Sequence, residues 1–219
     1  MQKENRLERL IFSLYISFAL IFIILYIPLH PYPFSYLIKC VPVASLLIFT
    51  LIVKRGPVRI FLASGLFFFL VGDVLLDLDY SRFFIFGLGC FFLAHFFYTV
   101  LFFRDLRFYR KSLLIIAAVI VYGLTMAWLL RNMDPNRIIP VMAYLAVISL
   151  MTISAALYST GRSWKGANLV VIGAAVFMLS GTVIVVNQFL VLIPNSPMIS
   201  LPLYWAAQLM IVRGIQISD

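Results

Sequence analysis

The chain has 219 residues, of which 64% are hydrophobic and 11% are charged. Soluble domains are about half apolar and about a quarter charged, so this composition excludes a soluble protein and predicts an integral membrane protein. The net charge is +9, because 17 lysines and arginines outnumber 8 aspartates and glutamates. In a membrane protein, such a charge is most simply explained by topology signals and contacts with lipid head groups, and not by nucleic-acid binding.

A helix needs about 20 mainly apolar residues to cross the hydrocarbon core of a bilayer. Eight such runs predict an all-α polytopic membrane protein with a single transmembrane domain over residues 1–219. The connections are too short to hold a soluble domain. In chain order, the predicted spans cover approximately 10–27, 36–53, 58–76, 83–103, 112–130, 138–158, 168–190 and 199–215.

Basic residues predict the orientation of these spans. Lysines and arginines are concentrated before the first span and in the connections between spans two and three, four and five, and six and seven. All of these segments lie on one side, whereas Arg82, Arg131 and Arg137 lie on the other. The positive-inside rule therefore predicts cytoplasmic N and C termini. The compact plan predicts a multi-pass protein of the cell (inner) membrane.

Ionisable residues inside the spans need a partner, a cavity or a function, because each is costly in hydrocarbon. Asp73 lies towards the outer end of span three, and Asp77 follows one helical turn later on the same face. Lys39 lies a few residues below the outer surface in span two. Two interpretations of Lys39 stay open, since its ammonium could extend to the interface or pair with Asp73.

Other polar side chains lie within the spans or near their ends. They are His95 and Tyr98 in span four, Ser180 and Asn187 in span seven, and Tyr204 and Gln208 in span eight. A single histidine in a membrane helix usually packs between helices, so a catalytic role for His95 is an alternative to a packing role. Because several of the polar residues fall in the outer half of the bundle, they predict one polar cavity there.

Spans three and seven share a short internal repeat. Gly65-x3-Phe69-x2-Gly72-Asp73 recurs as Gly173-x3-Phe177-x2-Ser180-Gly181. Both spans run outward, as the parallel repeats of some transporters require. A lipid or small-molecule transporter is therefore an alternative function, and the repeat makes Gly181 the counterpart of Asp73.

Five motifs follow one another along spans two to eight. They are Lys39-Cys-Val-Pro42, then Gly72-Asp73, then Gly87 through Phe91 to Ala94-His95-x2-Tyr98, then Gly173 to Ser180 with Asn187-Gln-Phe189, and finally Tyr204-x3-Gln208. Their order and spacing on an eight-span plan resemble those of the YhhN-like lysoplasmalogenase membrane proteins. The resemblance implies hydrolysis of the vinyl ether bond of lysoplasmalogens to a fatty aldehyde and glycerophosphoethanolamine or glycerophosphocholine. One departure is that the family usually has an aspartate directly after the serine of span seven, where this chain has Gly181.

Cleavage of a vinyl ether needs an acid that protonates the β-carbon and a second group that orients water and stabilises the oxocarbenium ion. Asp73, a carboxyl group in apolar surroundings, is the candidate acid. The candidates for the second catalytic group are Asp77, or His95 with Tyr98. The substrate-binding candidates are Lys39, which would hold the phosphate, and Ser180, Asn187, Tyr204 and Gln208.

No cofactor is implied. Two histidines, with no glutamate inside the predicted spans, are too few for a three-histidine zinc site, although a set of Asp73, Asp77 and His95 stays open. The expected partners are a lysophospholipid substrate and membrane lipids, with no nucleic acid and no protein partner implied. Because Gly181 replaces the family aspartate, a non-catalytic lipid-binding relative is a further alternative.

Overall fold

A computed structural model of the chain describes residues 2–29, 32–160 and 166–217. The described residues form eight α-helices and no strand. The helices are α1 (Gln2–Leu29), α2 (Ser35–Val53), α3 (Gly56–Leu78), α4 (Tyr80–Phe103), α5 (Arg110–Leu130), α6 (Pro135–Ser159), α7 (Ala167–Phe189) and α8 (Pro197–Gln216). All eight are long and apolar enough to cross a membrane, which confirms the predicted all-α, eight-span membrane protein. The basic residues predicted between spans six and seven fall in 161–165, outside the described residues.

The chain divides within α4 into two compact units, Met1–Ala94 and His95–Asp219. In the first unit, α2 packs against both α1 and α3, and the buried core includes Phe22, Leu46 and Leu66. In the second unit, α6 packs against α5 and α7, and α7 also packs against α8. Its core includes Ile148 and Ile211. Each unit therefore buries apolar side chains between helices that follow one another in the chain.

Asp79 connects α3 to α4. It directly follows Leu78, the last residue of α3, and its Oδ1 accepts hydrogen bonds from the Arg82 backbone N–H at 3.0 Å and the Ser81 hydroxyl at 2.7 Å. The bond from Arg82 satisfies a backbone N–H at the start of α4, as an N-cap does. The Arg82 N–H and then the Ser81 hydroxyl hold the pKa of the exposed Asp79 below its usual range. Asp79 is thus a connecting residue between the two helices.

Prolines lie inside three of the helices without ending them. α2 continues through Pro42, α6 through Pro140 and α8 through Pro202. A proline inside a membrane helix is tolerated where neighbouring groups satisfy the backbone carbonyl that it leaves free. α2 and α8 therefore run from end to end through Pro42 and Pro202.

Small residues bring α7 and α8 close together. An ideal Cβ on Gly214 would lie 2.8 Å from the Gly166 carbonyl oxygen and 3.0 Å from the Val170 backbone nitrogen. An ideal Cβ on Gly173 would lie 3.0 Å from the Ala207 carbonyl oxygen. These are backbone atoms, so a larger side chain would require the helices to separate. Close packing through small residues is a common way to join membrane helices, which lack a hydrophobic driving force within lipid.

Replacing Gly214 by alanine is expected to destabilise the protein by about 1–3 kcal/mol, because the new methyl group overlaps backbone atoms of α7. The measurement is thermal unfolding of the purified protein in detergent. Gly123 in α5 is the matched control, because an ideal Cβ there meets no atom of the described residues within 4 Å. Gly123→Ala is expected to be neutral or to stabilise by up to about 1 kcal/mol. Equal losses from both substitutions would contradict the proposed close contact.

Candidate functional site

A lysine and two aspartates meet between α2 and α3 in the first unit. Lys39 Nζ lies 3.9 Å from Asp73 Oδ1 and 3.6 Å from Asp77 Oδ1. It also donates a hydrogen bond to the Asp73 backbone carbonyl at 3.4 Å. The side chains are buried, with 9% of Lys39, 2% of Asp73 and 4% of Asp77 exposed. The structure thus brings three of the predicted site residues together, and the Lys39 ammonium pairs with carboxylates instead of extending to the interface.

Helical spacing explains why these groups converge. Asp73 and Asp77 are four residues apart and therefore share one face of α3. Ser35 lies one turn before Lys39 on α2, and its hydroxyl donates a hydrogen bond to Asp77 Oδ2. Ser35 was not among the predicted site residues. Four-residue spacings place Ser35 with Lys39, and Asp73 with Asp77, on one face of each helix, but a neutral serine gives no further signal in the sequence.

We call Ser35, Lys39, Asp73 and Asp77 the acidic cluster. Close apolar packing lies next to it. Gly72 precedes Asp73, and an ideal Cβ on Gly72 would lie 2.5 Å from Cε1 of Phe91 in α4. The Phe91 ring also packs against Phe69 of α3, with ring centroids 5.9 Å apart. The helix backbone next to Asp73 is thus closely packed, and Asp73 itself is buried, where electrostatic interactions are stronger than in water.

His95 lies among aromatic side chains in the second unit. It is fully buried, and its ring centroid is 4.7 Å from Phe177 and 5.6 Å from Tyr144, both in edge-on geometry. Tyr204 of α8 packs against Phe177, with centroids 5.5 Å apart. We call His95, Tyr144, Phe177 and Tyr204 the aromatic cluster. Tyr98, the other predicted residue of α4, is also fully buried, and its ring meets that of Phe102 at 6.4 Å.

Tyr144 occupies the space beside Gly181. An ideal Cβ on Gly181 would lie 2.6 Å from Tyr144 Oη, 3.3 Å from its Cε1 and 3.4 Å from Ile148 Cδ1. The Tyr144 hydroxyl therefore fills the position into which a side chain at residue 181 would project. Tyr144 was not predicted as a site residue, because the sequence shows only a tyrosine within an apolar span.

Two predicted substrate-binding residues organise the backbone around α7 and α8. The Ser180 hydroxyl donates to the Ser200 carbonyl at 2.8 Å, and Asn187 Oδ1 accepts a hydrogen bond from the Ile193 N–H at 2.8 Å. Ser180 thus joins the two helices, and Asn187 orders the loop between them. Gln208 is fully buried in α8, and neither of its amide atoms has a hydrogen-bond partner among the described residues.

The predicted outer cavity draws on residues of both units and stays a prediction. Lys39, Asp73 and Asp77 belong to the first unit, and Asn187 and Tyr204 to the second. In the part of the chain that the structure describes, no three His, Cys, Asp or Glu side chains are grouped as metal ligands would be.

These helices and buried polar clusters define a polytopic membrane protein that holds ionisable groups within its spans. The chain belongs to the YhhN family, which it matches over residues 34–215. This match confirms the family resemblance seen in the motifs, and the matched range contains every predicted site residue.

Several relatives are lysoplasmalogenases. The chain is 28% identical over 197 residues to lysoplasmalogenase TMEM86B of Mus musculus. The matched region covers 88% of this chain and 80% of that protein. It is 30% identical over 187 residues to lysoplasmalogenase TMEM86A of Bos taurus. That match covers 81% of this chain and 76% of the bovine protein. The TMEM86A protein of Homo sapiens matches with the same identity and coverage. No solved structure matches the chain with significance.

Proposed function

We propose that this protein is a membrane-embedded hydrolase that cleaves the vinyl ether bond of lysoplasmalogens. The observation that carries the proposal is the buried Lys39 within ion-pair distance of both Asp73 and Asp77, because ionisable groups inside membrane helices are costly and usually functional. The names of the relatives support the same substrate class. The substrate is then a lysophospholipid, and the products are a fatty aldehyde and glycerophosphoethanolamine or glycerophosphocholine.

Charge balance suggests a role for each ionisable group. One ammonium compensates one carboxylate, so the three side chains are neutral together when one carboxyl group keeps a proton. We assign the negative charge to Asp77, because it accepts the Ser35 hydroxyl and lies nearer to Lys39 Nζ. Asp73 is then the proton donor. In this scheme Lys39 balances the charge of the cluster, a role different from the phosphate binding expected from the sequence.

The reaction begins when Asp73 transfers its proton to the β-carbon of the vinyl ether. The π electrons of the carbon–carbon double bond form the new C–H bond, and the substrate becomes an oxocarbenium ion. The cluster simultaneously becomes negative, so the cation develops near a compensating charge, as in glycoside hydrolysis. Preorganised compensation of this kind lowers the barrier because the charges need no further rearrangement.

Water completes the hydrolysis. It adds to the cationic carbon and gives one proton back to the carboxylate, which yields a hemiacetal and restores the neutral cluster. The hemiacetal then loses its hydroxyl proton as its bond to the glycerol oxygen breaks, and the glycerol oxygen gains a proton. One water is consumed, one aldehyde and one alcohol are formed, and no cofactor takes part.

The remaining predicted residues enter the proposal in less specific roles. His95 and Tyr98 are candidates for orienting water, and Tyr204 is a candidate contact for the lipid. The basic residues of the connections support cytoplasmic termini and a location in the cell (inner) membrane. The transporter alternative is less favoured, because the helices that contain Pro42 and Pro202 are continuous, whereas broken helices are typical of many transporters.

Purified protein in detergent is expected to release fatty aldehyde from a defined lysoplasmalogen, at a rate proportional to protein concentration. The aldehyde is measured with a coupled aldehyde dehydrogenase. A lysophospholipid with a saturated ether chain is the matched control, because it has no double bond to protonate and should release nothing. If the lysoplasmalogen raises the unfolding temperature but releases no aldehyde, the protein is a non-catalytic lipid-binding relative and the proposed hydrolysis is wrong.

A further inference from the structure

Lys39 alone does little to distinguish the two carboxyl groups of the acidic cluster. Asp73 and Asp77 are both buried, and their Oδ1 atoms lie 3.9 Å and 3.6 Å from the same ammonium group. One ammonium at such similar distances stabilises either carboxylate to a similar extent. Which of the two aspartates keeps a proton therefore depends on contacts that act on one carboxyl group more than on the other.

The Ser35 hydroxyl is a contact of this kind. It donates a hydrogen bond to Asp77 Oδ2, and Ser35 is itself buried, with 4% exposure. A hydrogen bond to an ionised acceptor is about twice as strong as one between neutral groups. The bond therefore favours the ionised form of Asp77 over its protonated form.

The start of α2 places this hydroxyl beside Asp77. Ser35 is the first residue of α2, and Phe34 directly before it has a left-handed backbone conformation with a φ of 63°. This conformation is uncommon for a bulky residue and persists only where the surrounding structure maintains it. Burial, and then the negative charge of Asp77, raise the pKa of Tyr32 in the same connection. Tyr32 thus stays neutral near neutral pH and adds no charge to the cluster.

We propose that Ser35 is a positioning residue that keeps Asp77 ionised and thereby leaves the shared proton on Asp73. This inference rests on the proposed function, in which Asp73 gives that proton to the vinyl ether. Ser35 acts through Asp77 and does not touch the reacting atoms. Without the Ser35 hydroxyl, the proton would be divided between two carboxyl groups that share one ammonium, and fewer protein molecules would hold the acid on Asp73.

The test locates the proton by NMR without any substrate. Carbon-13 is introduced into the side-chain carboxyl groups of the aspartates, because the chemical shift of this carbon changes when the group is protonated. The signal that disappears in Asp73→Asn and the one that disappears in Asp77→Asn assign the two groups. In wild type near neutral pH, we expect Asp73 to be protonated and Asp77 to be ionised. Any other arrangement would overturn the proposal.

Ser35→Ala removes the hydroxyl, and Ser45→Ala is the matched control. Ser45 is another buried serine of α2, but its hydroxyl donates to the Pro42 backbone carbonyl at 2.6 Å. Ser35→Ala is expected to raise the ratio of protonated Asp77 to protonated Asp73 at least about fivefold. Ser45→Ala, and Ser35→Thr with its retained hydroxyl, are expected to keep the wild-type ratio. A smaller increase in Ser35→Ala, or an equal increase in Ser45→Ala, would contradict the role of Ser35.

Aldehyde release separates this inference from the proposed function. If the proposed hydrolysis is correct, the rate in Ser35→Ala falls in proportion to the fraction of Asp73 that remains protonated. A rate that does not follow this fraction would show that Asp73 is not the acid. If wild type releases no aldehyde, the proposed hydrolysis fails, whereas the NMR measurement still decides whether Ser35 keeps Asp77 ionised.

Discussion

Replacing Asp73 by asparagine is expected to lower aldehyde release at least about a hundredfold, because general acid catalysis commonly contributes about 10²–10⁴ to a rate. Asparagine has nearly the same shape as aspartic acid but has no acidic proton to transfer. The measurement is the initial rate of aldehyde formation from lysoplasmalogen in detergent, with thermal unfolding recorded on the same sample. A folded Asp73→Asn protein that keeps the wild-type rate would show that Asp73 is not the acid.

Two other aspartates provide matched controls for this prediction. Asp79→Asn makes the same change outside the spans, and asparagine is as good an N-cap as aspartate, so the wild-type rate is expected. Asp77→Asn removes the carboxylate that accepts the Ser35 hydroxyl and leaves the Lys39 charge less well balanced. Charge balance then favours an ionised Asp73, which has no proton to give, so a large loss of rate is expected here too. A folded Asp77→Asn protein with the wild-type rate would contradict the charge assignment proposed above.

The eight helices and the pairing of Lys39 with Asp73 follow from local properties of the sequence. Each span is a run of apolar residues of sufficient length, and length and composition decide whether a helix can cross a bilayer. Lys39 and Asp73 lie in consecutive spans and on the same predicted side of the bilayer. Because an isolated charge is so costly there, pairing was one of two open interpretations.

The sequence did not predict Ser35 or Tyr144 as site residues, because their contacts depend on how the helices rotate and pack. The neutral residue Ser35 has no comparable need for a partner, so the sequence does not reveal that it donates to Asp77. Likewise, Tyr144 could face lipid or protein by composition alone, and its contact with Gly181 arises only when α6 and α7 pack together. Ser180 was predicted to bind substrate, which stays a prediction, and the structure shows that its hydroxyl joins α7 to α8.

Replacing Gly181 by aspartate, the residue that the motif resemblance implies there, is expected to destabilise the protein instead of improving activity. The new Cβ would lie 2.6 Å from Tyr144 Oη, and Tyr144 is itself buried with 3% exposure. Overpacking of this kind costs about 1–3 kcal/mol. We therefore expect residue 181 and Tyr144 to be coupled, so that removal of the tyrosine hydroxyl makes room for a carboxylate.

A double-mutant cycle tests this coupling. Gly181→Ala is expected to lower the unfolding free energy by about 1–3 kcal/mol in the wild-type background but by much less in Tyr144→Phe, where the nearest remaining atoms are 3.3 Å and 3.4 Å away. Gly181→Asp is then compared in both backgrounds for stability and aldehyde release. Because phenylalanine differs from Tyr144 only by the hydroxyl, rescue of Gly181→Asp by Tyr144→Phe identifies that oxygen as the obstacle. Equal destabilisation in both backgrounds would instead show that Gly181 is required for a reason unrelated to Tyr144.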